Sequence, residues 1–162
     1  MAVGILGLTM ALGFSGCQSE NQKNQDAYRK IGINSMAEGD YDKAVKSFQK
    51  ALDTSLGKIG AEEIDICYYK AAAQFAKKDY DGAIETYTSL IDYDKENANA
   101  YYLRGSVYLD TDKKDKAFKD YKNAVKYAGR EYEIYEGIYE NLTNKGETEE
   151  AKNYLKKALD IK

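Results

Sequence analysis

Gly39-Asp40-Tyr41-Asp42-Lys43-Ala44-Val45-Lys46-Ser47-Phe48-Gln49-Lys50-Ala51-Leu52 decides the fold, because the chain returns to it three more times. Lys78-Asp79-Tyr80-Asp81-Gly82-Ala83-Ile84-Glu85-Thr86-Tyr87 is the second copy. Asp112-Lys113-Lys114-Asp115-Lys116-Ala117-Phe118-Lys119-Asp120-Tyr121 is the third, and Gly146-Glu147-Thr148-Glu149-Glu150-Ala151-Lys152-Asn153-Tyr154-Leu155 the fourth. Aligned on Ala44, Ala83, Ala117 and Ala151, the steps are 39, 34 and 34 residues. A fixed period of this length marks a solenoid, whose units bury their apolar faces only by stacking on one another. In the first copy Tyr41, Ala44, Val45, Phe48, Ala51 and Leu52 step by three and four along one helical face, with Lys43, Lys46, Gln49 and Lys50 on the other. This spacing, followed along the chain, predicts helices near 26–38, 41–54, 62–77, 80–92, 97–110, 114–127, 131–144 and 148–161.

The copies resemble the tetratricopeptide repeat (TPR), a helix-turn-helix unit of about 34 residues. That pattern runs from a bulky residue to leucine-glycine, a second bulky residue, alanine, an aromatic, alanine and often proline. Copy one supplies Tyr28, Ile31, Gly32, Ser35, Ala44, Phe48 and Ala51. Copy three supplies Tyr101, Arg104, Gly105, Tyr108, Ala117, Tyr121 and Ala124. Copy four has Tyr135, Ile138, Leu142, Ala151, Leu155 and Ala158, with Tyr139 in the glycine slot. Copy two departs most in its first helix, with Cys67, Lys70, Ala71 and Gln74, but keeps Ala83 and Tyr87. The chain has no proline. The resemblance covers about residues 25–161. It implies an all-α, right-handed superhelical solenoid of four hairpins, at about 26–54, 62–92, 97–127 and 131–161 of a domain spanning 26–162.

Local chemistry supports the hairpins. Gly39 and Gly146 stand where a helix must stop and turn, a role suited to positive φ. Asp40, Asp79 and Asp115 lie in or near the turns that follow, where a carboxylate can bond orphan N–H groups. Tyr28, Tyr41, Tyr80, Tyr87, Tyr101, Tyr108, Tyr121 and Tyr135 fall in packing slots and read as core. Thr54 to Ala61 holds the five extra residues of the first step and reads as a surface insertion or, with its two glycines, a hinge. In the last helix Lys152, Asn153, Lys156 and Lys157 suit a polar cap, whereas Leu155, Leu159 and Ile161 suit self-association.

Residues 1–16 carry no charged side chain, and a short apolar run ending in small residues reads as a secretory signal. Phe14-Ser15-Gly16-Cys17 resembles a bacterial lipobox, with phenylalanine where leucine is usual. That resemblance implies cleavage before Cys17 and acylation of its thiol, which would tie the protein to a membrane of the bacterial cell envelope, facing outside the cytoplasm. The wholly polar run Gln18 to Gln25 then reads as a flexible tether, so that 17–25 links anchor to domain.

The chain has no histidine, which removes Ser-His and Cys-His nucleophile pairs. Cys67 reads as a small buried hydrophobe. No phosphate loop or metal-ligand set is spaced along the chain, so no enzyme, metal or cofactor is expected. A net charge of -3 gives no general attraction to nucleic acid. In the TPR family the first helices line a groove for a protein or peptide. Carried over, its slots include Arg29, Ile33, Met36, Tyr68, Phe75, Tyr102, Ser106 and Leu109, and then Glu133, Glu136 and Glu140 at the acidic C-terminal end. The carboxylate clamp of some TPR adaptors is absent, since its slots hold Arg29, Ile33, Tyr69, Asn99 and Leu103. The resemblance therefore implies a groove for an apolar segment with a basic flank, or alternatively a scaffold that forms a homodimer through the C-terminal helix.

Overall fold

A computed structural model describes residues 20–161. These residues form eight helices: α1 (Glu20–Ala37), α2 (Tyr41–Thr54), α3 (Ala61–Ala76), α4 (Tyr80–Tyr93), α5 (Ala98–Asp110), α6 (Lys114–Ala128), α7 (Tyr132–Asn144) and α8 (Thr148–Ile161). Helices adjacent in sequence pack against each other, and the first helices of neighbouring hairpins also touch, α1 with α3 and α5 with α7. No contact of that extent joins consecutive second helices among the described residues. At the middle junction α4 carries the contact with α5, so the first-helix side is the closer one at the first and third junctions; that side is the inner face of a right-handed, all-α solenoid of four hairpins.

The predicted and observed helices agree within a residue except at the N-terminus. Residues 20–25, read from sequence as tether, are the first turns of α1. Gln25 is only 4% exposed and donates from Nε2 to Glu63 Oε1 on α3 at 2.7 Å. Glu63 also accepts from Gly60 N at 2.8 Å, capping α3. This polar run thus docks through a hydrogen bond, not an apolar face. Residues 1–19, including the signal-like segment and Cys17, lie outside the described residues.

The four hairpin turns share one backbone device. Asp40 N donates to Ser35 O, Asp79 N to Gln74 O, Lys113 N to Tyr108 O and Glu147 N to Leu142 O, all at 2.8 to 2.9 Å. This bond closes the Schellman motif and requires a left-handed residue just before the donor. Gly39 and Gly146 fill that place with φ of 78° and 79°. Lys78 and Asp112 fill it at 66° and 62°, where a Cβ is strained. Asp40 and Asp79 cap their helices, accepting from Lys43 N and Gly82 N. Asp115 lies inside the first turn of α6, where it faces the helix dipole without capping.

Packing follows a rule of large against small. Gly32 faces Phe48, and a Cβ on it would come within 2.5 Å of the ring. Gly105 faces Tyr121, where a Cβ would come within 2.8 Å. Both rings are fully buried, and burial raises the Tyr121 hydroxyl to about 12. Copy two places Ala71 in that slot opposite buried Tyr87, and copy four places Tyr139 there with the smaller, half-buried Leu155 in the aromatic slot. Of the tyrosines read as core, Tyr87, Tyr121 and Tyr135 are buried and the rest half-buried. Tyr135 keeps its hydroxyl satisfied on Val125 O and Gly129 O, both at 3.2 Å, which ties α7 to the end of α6.

One interior contact is ionic. Arg104 Nε and Nη2 donate to Asp120 Oδ2 and Oδ1 at 2.8 and 2.9 Å, while Nη1 donates to Thr88 Oγ1 at 2.9 Å. The guanidinium also lies over the Tyr101 and Tyr108 rings. Burial opposes its charge, but the Asp120 hydrogen bonds and charge outweigh that and leave the Arg104 pKa above its usual value. The pair thereby joins α4, α5 and α6 in a geometry only a forked cation can make.

Candidate protein-binding surface

The inner face is built from residues that mostly also join one hairpin to the next. Arg29 on α1 donates from Nε to Asp65 Oδ2 on α3 at 2.9 Å, pairs through Nη2 with the same oxygen, and lies over the Tyr69 ring. Its pKa is raised by the Asp65 hydrogen bond. Tyr68 donates to Asn97 Oδ1 at 2.7 Å, and that oxygen also caps α5 through Ala100 N. Tyr102 rests on Gly137 of α7, where a Cβ would come within 2.7 Å of its Cζ. Ser106 Oγ donates to Tyr102 O at 2.9 Å and accepts from Asn141 Nδ2 at 2.8 Å. Burial raises the Tyr68 and Tyr102 hydroxyls, so both stay protonated donors at neutral pH.

The remaining groove residues divide by exposure. Ile33 and Met36 are half-buried against the core of the first hairpin. Phe75 is half-buried, edge-on to Tyr80 at 5.7 Å. Leu109, assigned to the groove from its slot, is 2% exposed and belongs to the core shared with α6, α7 and α8. It is interior because α7 packs on α5 and shares this core with it through Ile138 and Leu142, whereas α3, which carries Phe75, has no such contact with the next first helix among the described residues. Glu133, Glu136 and Glu140 stand exposed along α7, and Glu136 Oε1 accepts the Tyr132 hydroxyl at 2.7 Å. The structure thus gathers half-open apolar side chains at the N-terminal end and open carboxylates at the other.

Between α1 and α3, Glu62 meets Asp26. The hydrogen bond they share, burial and the Asp26 charge raise the Glu62 carboxyl above its usual range, with Arg29 opposing. The folded chain therefore holds this proton more tightly than the unfolded chain. Its contribution is fully present below the unfolded value of about 4.3 and is lost as pH rises through the higher folded value. Glu62→Gln should melt above the parent at neutral pH, with the difference closing as the pH falls toward about 4. Thermal melts across that range check both the sign and the window.

Two further concavities were not foreseen. A cleft of about 1140 Å³ lies between α6 and α8, floored by Phe118, Val125, Tyr135, Tyr154 and Ile161 and edged by Lys122, Lys126, Lys156 and Lys157. Its signal is present in the sequence, since Phe118, Lys122, Val125 and Lys126 share one helical face of α6. A cavity of about 230 Å³ lies beside the insertion, lined by Leu52, Ile59, Ile64, Cys67, Leu90 and Tyr93. Burial raises the Cys67 thiol, leaving it an unreactive, half-buried filler. Among the described residues no group of three or more His, Cys, Asp or Glu is placed to hold a metal ion, and no helix is long and apolar enough to cross a membrane.

Comparison with known proteins agrees with this geometry. Models of the TPR repeat and tetratricopeptide repeat match residues 29–88, 71–112, 98–130 and 140–162. A crystal structure of MamA is similar over 85% of this chain and 78% of its own, with 26% identity and a TM-score of 0.65. MamA 41-end from Desulfovibrio magneticus RS-1 is 22% identical over 88% of this chain and 76% of its own, with a TM-score of 0.66. The Arabidopsis OM64 TPR domain is 17% identical over 76% of this chain and 98% of its own, with a TM-score of 0.62. No match was found among curated protein sequences. With four hairpins closed by one turn device and matched by these repeat models, the chain is built of tetratricopeptide repeats.

Proposed function

We propose that this protein is a membrane-anchored adaptor of the bacterial cell envelope that holds a protein or peptide partner on its inner face. The observation that carries this reading is the gradient along that face, from half-open Ile33, Met36 and Phe75 to exposed Glu133, Glu136 and Glu140. An apolar segment followed by a basic flank complements both ends. The lipobox-like Phe14-Ser15-Gly16-Cys17 supports acylation of Cys17 and a place outside the cytoplasm, where the partner would belong to an envelope complex under assembly. The net charge of -3 does not favour nucleic acid.

Tyr68 and Tyr102 also knit the hairpins, so alanine there would test folding and binding together. The exposed glutamates separate the two. Glu133→Lys/Glu136→Lys/Glu140→Lys should leave helical circular dichroism unchanged and abolish recovery of the partner crosslinked to the parent in its native cells. Undiminished recovery would remove the acidic end from the site. The rival reading, a scaffold that pairs through its C-terminal helix, draws on the exposed Leu159 on α8. It requires the mass from light scattering to double with concentration in the absence of any partner.

A further inference from the structure

We infer that the insertion between the first two hairpins is a second membrane contact, which rests on the bilayer beside the acyl anchor and sets the orientation of the solenoid. This rests on the anchor reading above. The insertion is the one place where the period lengthens, by five residues, and among its small and polar residues it carries two large apolar ones, Leu56 and Ile59. Leu56 is 77% exposed and Ile59 57%, with Lys58 between them, and exposed Tyr93 of α4 lines one cavity with Lys58 and Ile59. Leu56 is held outward on a left-handed backbone, φ 53°, followed by Gly57 at 79°. The loop around it is fixed: Ser55 Oγ donates to Leu52 O at 2.8 Å, Lys58 N to Ser55 O at 3.1 Å, and Gly60 N to Glu63 Oε2. The apolar tip is thus presented by a built turn.

Its position supplies the occupant. Asn21, Gln22 and Gln25 at the start of α1 share a hollow of about 350 Å³ with Leu56, Lys58 and Ile59. Cys17 stands three residues before Glu20, a span of at most about 11 Å even when fully extended. An acylated Cys17 therefore brings this end of the solenoid to the lipid surface, with Leu56 and Ile59 beside the point of attachment. Leucine and isoleucine suit the acyl boundary, tyrosine the headgroup level and Lys58 an anionic lipid.

The chain contains no tryptophan, so one added indole reports its own surroundings. Mature, acylated Ile59→Trp should be reconstituted on phosphatidylethanolamine–phosphatidylglycerol vesicles, with and without brominated phospholipid. Its emission should shift to the blue and be largely quenched by the brominated lipid, while Leu159→Trp in the last helix keeps its emission. Leu56→Trp is the second reporter should Ile59→Trp not fold. Equal quenching at the two ends, with protein floating on the vesicles, would overturn the second contact and leave the anchor standing. Flotation no better than that of Cys17→Ser would overturn the anchor, and the second contact with it.

Discussion

Asp120→Ala should lower stability by about 3–5 kcal/mol, the loss expected when one partner of a buried ion pair is removed. Asp120 is 3% exposed and accepts both Arg104 bonds, at 2.8 and 2.9 Å. Its removal strands a guanidinium between the Tyr101 and Tyr108 rings with only Thr88 for company. For a chain of this size the melting temperature should fall by about 10 °C or more. The comparison that isolates the cause is Arg104→Met/Asp120→Leu, which removes both charges and should be near neutral. A double variant as unstable as Asp120→Ala would show that the pair does more than compensate its own burial.

Phe48→Ala should cost about 3–5 kcal/mol, by loss of transfer free energy and the cavity left behind. The ring is fully buried, lies against Gly32 and stacks on Tyr69 of the next hairpin at 5.7 Å. Because the main contacts of each hairpin among the described residues are with its neighbours, the damage should stay local. Hydrogen exchange should accelerate in α1 and α2 while α5 to α8 keep their protection. Uniform acceleration along the chain would mean that the hairpins unfold as one unit.

The helices were legible because repetition averages away local ambiguity. Ala44, Ala83, Ala117 and Ala151 fix a register that no single copy could, and one turn geometry then bounds the helices. Gln25 escaped because a polar run gives no periodic apolar signal, and its partner Glu63 is 38 residues away. Arg104 and Asp120 escaped because charges on two helices give no hint of pairing until the hairpin closes. The groove was legible as a set of slots and less so as a surface. Slot position says which way a residue faces, but whether a neighbour covers it, as at Leu109, or uses it, as Tyr102 uses Gly137, is decided by the adjoining hairpin.

The exchange of bulk between Gly32 and Phe48, Ala71 and Tyr87, and Gly105 and Tyr121 acts as a grammar for recombining this chain. A chimera that marries the opening helix of copy one to the closing helix of copy three keeps a void of the right size. One that sets Tyr139 opposite Phe48 asks two rings to occupy a single space. Shuffled half-repeats should therefore survive selection in complementary pairs, and the lineage of each hairpin would be recorded jointly in two residues on different helices.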